Sequence, residues 1–203
     1  MSLQLRPLVP APHTPALRLA TREIQGRVMS AEAGNSAPAS GQKSGDDAIV
    51  NARNEKRWNR FHDYFKAEFE LVYELADGSF TTRGMSTKMY LAEADDLRKH
   101  LTMHHTIEER HIFPLLAKRM PAFRNDEQHI KSHHGIHEGL DKLSVLLKKW
   151  NADPTKYSPD EMKACLDSWR DVLFRHLDEE VADLGGENMC KYWTLEEIDR
   201  IPF

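Results

Sequence analysis

From residue 46 onward, apolar residues recur every three or four positions, and each run is bounded by residues that start or stop helices. The first stripe reads Trp58, His62, Phe65, Phe69, Val72 and Ala76. Its spacing near 3.6 turns one face of an α-helix toward a core. Asp46 or Asp47 is placed to cap this helix, and Asp77-Gly78 to stop it. The second stripe, capped by Ser86 or Thr87, reads Leu97, Leu101, His104, Glu108, Ile112 and Leu115. Pro114 removes an intrahelical donor, so the last turns of this helix are predicted to bend or thin before Met120-Pro121 closes it. A third helix, capped by Asn125 or Asp126, carries His133, His137, Leu140, Leu143 or Ser144, Leu147 and Trp150. Ser158-Pro159-Asp160-Glu161 then combines a serine cap, proline at the first helical position and a glutamate that completes a capping box. The fourth stripe reads Leu166, Trp169, Leu173, His176, Glu180 and Leu184, with Gly185-Gly186 as its stop. Thr194 with Glu197 predicts a short final helix. There is no good strand signal. Short connections make sequential helices antiparallel neighbours, so the expected fold is all-α: an up-down-up-down four-helix bundle over residues 46–186 with a short helical extension over 187–203.

Residues 1–45 break the pattern. They hold five of the chain's ten prolines among scattered Gly, Ser and Ala, and sustain no apolar period, which predicts a disordered tail. Arg6, Arg18, Arg22 and Arg27 lie there, with no acidic residue before Glu23. That is the bias of a mitochondrial presequence. The expected compartment is the cytoplasm, with the mitochondrial matrix as the alternative. A net charge of −4 supplies no basic field to draw in nucleic acid. The apolar runs are too short to span a bilayer. Cys165 and Cys190 cannot form a disulfide framework and read as thiols in a reducing compartment.

The stripes contain residues that do not belong in an ordinary core. The pairs His104/Glu108, His133/His137 and His176/Glu180 replace apolar residues without breaking register, and His62 does so in the first stripe. Residues four apart share a helix face, so each pair presents two donors in one direction. Unpaired ionisable groups in a core cost several kcal/mol each, and a bound metal is the simplest compensation. In an antiparallel bundle the four positions lie at similar heights, roughly 20–26 Å from a common end at ~1.5 Å per residue. Five imidazoles and two carboxylates are too many for one tetrahedral zinc and suit two ions sharing bridging carboxylates. A mixed nitrogen and oxygen set without thiolate is open to Fe, and to Mn or Zn less so, and affinity order alone does not choose iron.

Several neighbours of these positions also carry imidazoles or carboxylates. His105 and Glu109 form a second pair turned ~100° from the first and read as a solvated face, with a register swap as the sharper alternative. His134 reads as surface, and His100 and His13 as solvent-exposed. His111 falls on the core side, as an outer partner of the site or as packing. His129 would ligate only if the third helix slipped in register, and Glu179 is an alternative bridge.

The runs HHTIEERHIFP (104–114), HHGIHEGLDKL (133–143) and FRHLDEEV (174–181), with WNRFHDYF (58–65), resemble the hemerythrin family, specifically its stand-alone HHE cation-binding domains. The resemblance covers about residues 50–185. It implies a four-helix bundle around a non-haem, carboxylate-bridged pair of Fe ions. By position, His133, His137 and His176 would hold one iron, His62 and His104 the other, and Glu108 and Glu180 would bridge. The two-histidine iron would keep a position open for O₂. The oxygen carriers of the family have Asp five residues after the last His, whereas here that position is Val181, so reversible oxygen carriage does not transfer with the site.

The expected function is therefore a di-iron protein that binds O₂ or a related small ligand (NO, peroxide) for sensing, iron handling or stress protection, with no catalytic residue assigned. Two alternatives use the same bundle. One is a di-iron enzyme that consumes peroxide or oxygen. The other is an interaction module with a structural metal, in which the C-terminal segment, with exposed-looking Tyr192 and Trp193, does the recognising. Protein partners are not legible.

Overall fold

Four long helices form in the expected order: α1 (Gly45–Leu75), α2 (Thr87–Ile107), α4 (Gln128–Ala152) and α5 (Pro159–Asp183). They pack as a square, with α1 beside α2 and α5, and α4 beside the same two. This is the up-down-up-down bundle that short connections require. The computed structural model describes residues 45–124, 128–198 and 200–201, with side chains from residue 59 onward. The expectations for the tail, His13, the Trp58 side chain and the Asn125 or Asp126 cap lie outside them. No strand occurs among the described residues, and none of their helices is long and apolar enough to cross a membrane.

The local signals account for most boundaries. Ser86 caps α2 by accepting from the Met89 N–H at 3.2 Å, and Ser158 caps α5 by accepting from the Glu161 N–H at 3.3 Å. Gly78 lies just past α1 at φ 92°, a left-handed conformation open to glycine at little cost. One start differs from expectation: α1 begins at Gly45, so Asp46 and Asp47 lie in its first turn rather than ahead of it.

The consequential local difference is at Pro114. Residues Glu108–Ile112 form a π-helical turn, and the Phe113 N–H donates to the Glu108 carbonyl five residues back. A short helix, α3 (Phe113–Leu116), continues from it. Pro114 has no N–H to give the turn before it, and widening that turn by one residue absorbs the loss without ending the helix. The wider turn also rotates the residues at its C-terminal end. Ile112 and Phe113 become buried, while His111, expected on the core side, is exposed.

The apolar core runs from Phe65 through Leu75 on α1, Tyr90 through Leu101 on α2, Ile136 through Trp150 on α4 and Met162 through Leu177 on α5. At the end of the bundle where α1 finishes, Tyr90 and Tyr157 donate their hydroxyls to the carbonyls of Val72 and Ala76 at 2.8 and 2.6 Å. In mid-bundle α4 and α5 approach closely at Gly139, where an added Cβ would lie 2.2 Å from Trp169 Cγ and 2.7 Å from its Cβ. Trp169 is itself buried and meets the Phe69 ring edge-on at 4.9 Å. Gly139→Ala is therefore expected to destabilise the protein by about 1–3 kcal/mol despite alanine's better helix propensity, because the overlap is with a packed indole that has nowhere to go. Thermal denaturation of the variant beside wild type measures this.

The C-terminal residues fold back onto the bundle through α6 (Gly186–Met189) and α7 (Leu195–Ile198). Thr194 and Glu197 complete the expected capping box, with reciprocal bonds of 2.9 and 3.3 Å. Met189, Trp193, Ile198 and Ile201 are buried. Trp193, expected to be exposed, lies beneath the Arg119 guanidinium, 4.3 Å from the ring centroid. Arg119 in turn pairs through both terminal nitrogens with Glu197. Folding back lets this segment bury apolar surface that an extended tail would leave in water, so the tryptophan is not available as a docking surface.

Candidate metal centre

Ionisable side chains converge from all four long helices in the half of the bundle away from Tyr90 and Tyr157. His62 on α1, His105 on α2, Glu108 in the π turn, His129 and His133 on α4, and His176 and Glu180 on α5 are each at most 1% exposed. Their donor atoms fall into two groups that could each hold a cation: His62, His104, Glu108 and Glu180 in one, and His105, Glu108, His133 and His176 in the other. Within each group the donors lie within 4.8 Å of one another.

The two carboxylates stand between the groups. Glu108 Oε1 is 3.0 Å from His104 Nε2, and its Oε2 is 3.5 Å from His133 Nε2. Glu180 Oε2 is 3.4 Å from His62 Nε2 and 3.6 Å from His176 Nε2. Each carboxylate thus faces one imidazole from either group, as a bridging ligand must. His133 and His176 approach Nε2 to Nε2 at 3.1 Å. Phe65 packs on the His104 ring at 4.7 Å and Phe113 on His133 at 4.9 Å, walling both ends of the cluster with apolar surface.

The electrostatics follow from burial. Desolvation, followed by the neighbouring histidines, holds His104 and His105 well below the usual imidazole range. Burial takes His176 down to about 3 and also lowers His133, although Glu180 and Glu109 pull His133 the other way. The carboxylates diverge. Burial and the nearby Glu180 push Glu108 well above the carboxylate range. Glu180 is equally buried, but the neighbouring His62, His176 and His104 outweigh its desolvation and hold it low. His104, His105, His133 and His176 are therefore held in the neutral form at physiological pH, the form that can ligate a cation.

Many of these atoms lack partners within the protein. Both ring nitrogens of His105, both oxygens of Glu108 and of Glu180, His104 Nε2 and His176 Nδ1 are buried without a hydrogen bond. Each such atom costs about 1–3 kcal/mol when left unmet. A pair of divalent cations would satisfy the carboxylate oxygens and one nitrogen of each imidazole, so the donor set fits the group that the fold implies.

Of the seven expected ligands, His62, His104, Glu108, His133, His176 and Glu180 are drawn into the two buried groups. His137 is placed differently: its side chain is 35% exposed at the rim, where a third group joins it to Glu109 and His133. Glu109 Oε1 accepts from His133 Nδ1 at 2.8 Å and meets His137 Nε2 at 3.1 Å. Glu179 belongs to none of these groups.

The reading of His105 as a solvated face is overturned, since it is 0% exposed. The reason is tertiary: α2 is flanked by both α1 and α4, so two adjacent residues can each face a neighbour. His104 faces α1, with its ring 5.7 Å from His62, and His105 faces α4, with its ring 4.1 Å from His133. A signal for this exists in the sequence, because His105 continues the Leu97–Leu101 spacing of four. His129 is buried against Phe123 and bonded to Asp183 at 2.9 Å, beside the site rather than in it. His134 is exposed as expected, and His100 is half-buried against Glu68 at 2.8 Å rather than free in solvent.

Fold and site together define a helical-bundle protein whose core gathers buried histidine and glutamate donors in groups that could hold a cation. The chain belongs to the hemerythrin family: the model of the hemerythrin HHE cation binding domain matches residues 54–185. It is also similar to the dimeric xanthone biosynthesis cluster protein R11 of Cryptosporiopsis sp. (strain 8999), with 29% identity over 100 residues. That match covers 46% of this chain and 37% of the relative, so the chain spans well under half the relative's length. No solved structure gives a significant match.

Proposed function

We propose that this chain holds two iron ions in the bundle and binds O₂ or a related small ligand, NO or peroxide, for sensing, iron handling or stress protection. The observation that carries the reading is the pair of buried donor groups sharing Glu108, with Glu180 facing both. His62 and His104 would serve one ion, His133 and His176 the other, and Glu108 and Glu180 would bridge. The seventh ligand expected by position is His137. When bound, such an ion pair supplies one-electron chemistry and a position open to a small ligand. The protein's own contribution is geometry, neutral imidazoles and a dry wall. Glu109 takes the hydrogen bond from His133 Nδ1, which leaves the Nε2 lone pair facing inward. Phe65, Phe113, Leu101 and Leu173 keep bulk water out, which governs whether a bound ligand leaves intact. The proposed compartment is the cytoplasm or the mitochondrial matrix.

The test is to load the purified protein with Fe(II) without oxygen, count iron per chain, and follow the near-ultraviolet and visible spectrum as O₂ is added and withdrawn. The expected result is two irons per chain and a new absorption band on adding O₂. A chain that retains no iron after gel filtration would overturn the proposal. A second reading, turnover of peroxide or oxygen at the same centre, is favoured by the relative's place in a biosynthesis cluster. It requires steady consumption of H₂O₂ that disappears in His104→Ala.

A further inference from the structure

Position along the chain pairs His133 with His137 as two ligands of one ion. The side chains are arranged otherwise. His105 is 0% exposed, and neither of its ring nitrogens makes a hydrogen bond. Its ring stacks on His133 at 4.1 Å and meets His176 edge-on at 5.7 Å. One of its nitrogens lies within 4.8 Å of donors from Glu108, His133 and His176. His137 lies beside that group, its ring edge-on to His105 at 5.4 Å and to His133 at 6.2 Å, but its donor atoms are not drawn into it. Its Nε2 is engaged by Glu109 Oε1, the same oxygen that faces His133 Nδ1.

Helix geometry explains the difference. The buried residues of α4 are His129, Ser132, His133, Ile136, Gly139, Leu140, Leu143, Leu147 and Trp150. At ~100° per residue their common direction lies near Ile136, and His137 is turned roughly 100° from it. On α2 the buried residues Tyr90, Leu91, Ala94, Leu97 and Leu101 define a direction that His105, four beyond Leu101, continues.

We propose that His105, not His137, supplies the third imidazole to the ion held by His133 and His176, and that His137 pairs with Glu109 at the rim, outside that ion's ligand set. The assignment rests on the two-ion reading of the centre. In this arrangement α2 serves both ions from consecutive residues: His104 faces the first, His105 the second, and Glu108, one turn on, spans them. The histidine pair on α4 is split, with one ring inside and one at the rim. Because Glu109 accepts the His133 Nδ1 hydrogen, His133 Nε2 is the atom presented toward His176 and Glu108. The His137 donors group with Glu109 and His133 and not with the inner four.

The experiment compares wild type, His105→Gln and His137→Gln, each loaded with Co(II) and freed of excess metal. Cobalt is counted per chain and the d–d absorption recorded. The wild-type count tests the two-ion reading, and the variants test the assignment. The expected results are two ions for wild type, one for His105→Gln, and two for His137→Gln with an unchanged spectrum. The proposal is overturned if His105→Gln keeps two ions, or if His137→Gln drops to one. Should His105→Gln fail to fold, His105→Glu restores a donor of similar reach. It is expected to hold two ions with a shifted d–d band, whereas His137→Glu leaves the band in place. An unshifted band in His105→Glu sinks the assignment.

Discussion

Stripping cations from the bundle with a chelator is expected to lower its melting temperature by about 10 °C, the largest single change this protein should show. The size follows from linkage. A ligand that binds only the folded chain, at a free concentration about a thousand times its dissociation constant, stabilises it by about 4 kcal/mol. In a chain of this length, 1 kcal/mol moves the melting point by about 2–4 °C. The site has the features that make the effect large. Its donors come from all four long helices, so they converge only in the folded state. Without cations, His105, Glu108 and Glu180 keep buried polar atoms that no protein group satisfies. Differential scanning calorimetry before and after dialysis against chelator, then after restoring Fe(II), measures the shift. An unchanged melting temperature in all three states would show that no cation is linked to folding.

Acid should act in the same direction. For the metal-free protein, His104, His105, His133 and His176 are all lowered from the ordinary imidazole value, chiefly by burial. Between pH 6.5 and those lowered values the unfolded chain takes up protons that the folded chain refuses. The stability these groups contribute is thus complete above about pH 6.5 and falls as the solution is acidified. Each contributes a slope of up to about 1.4 kcal/mol per pH unit. Glu108 works against them: its raised value means that the folded form holds a proton which the unfolded form has lost, so stability falls as pH rises from about 4.5 toward that value. Glu180 is held low and adds to acid sensitivity only below about pH 4.5. Four histidines against one carboxylate leave a net loss on acidification of at most about 4 kcal/mol per unit. With metal present the sign is the same, because protons compete with the cation for imidazole. Urea midpoints measured from pH 7.5 to 5.0 should fall steadily below about pH 6.5. A flat profile across that range would rule out buried, neutral imidazoles.

The two effects can be separated at Glu108. A Glu108→Gln variant removes the carboxylate shared by both groups, so it should shrink the chelator-dependent shift while leaving the histidine-driven slope in place.

The one-dimensional pattern determined the number of long helices, most of their ends, and the fact that histidines and glutamates interrupt four apolar stripes. These features are legible because helical periodicity, serine caps and glycine stops act over a few residues, so chain order alone encodes them. It also brought His62, His104, Glu108, His133, His176 and Glu180 onto core faces, since each occupies a place in a stripe that must be buried. Tertiary packing decided which neighbour each face meets. His104 and His105 are equally good continuations of Leu97 and Leu101, and only the placement of α2 between α1 and α4 turns both inward. His133 and His137 share a helix face in the sequence pattern, yet the roll of α4, tied to the contact of Gly139 with Trp169, carries His137 to the rim. The π turn before Pro114 moved His111 outward, and the fold-back of the C-terminal segment buried Trp193. For the histidines the deciding quantity is the rotation of a whole helix against its neighbours, which depends on side chains distant in sequence, so the spacing that His105 continues is legible but the neighbour it meets is not.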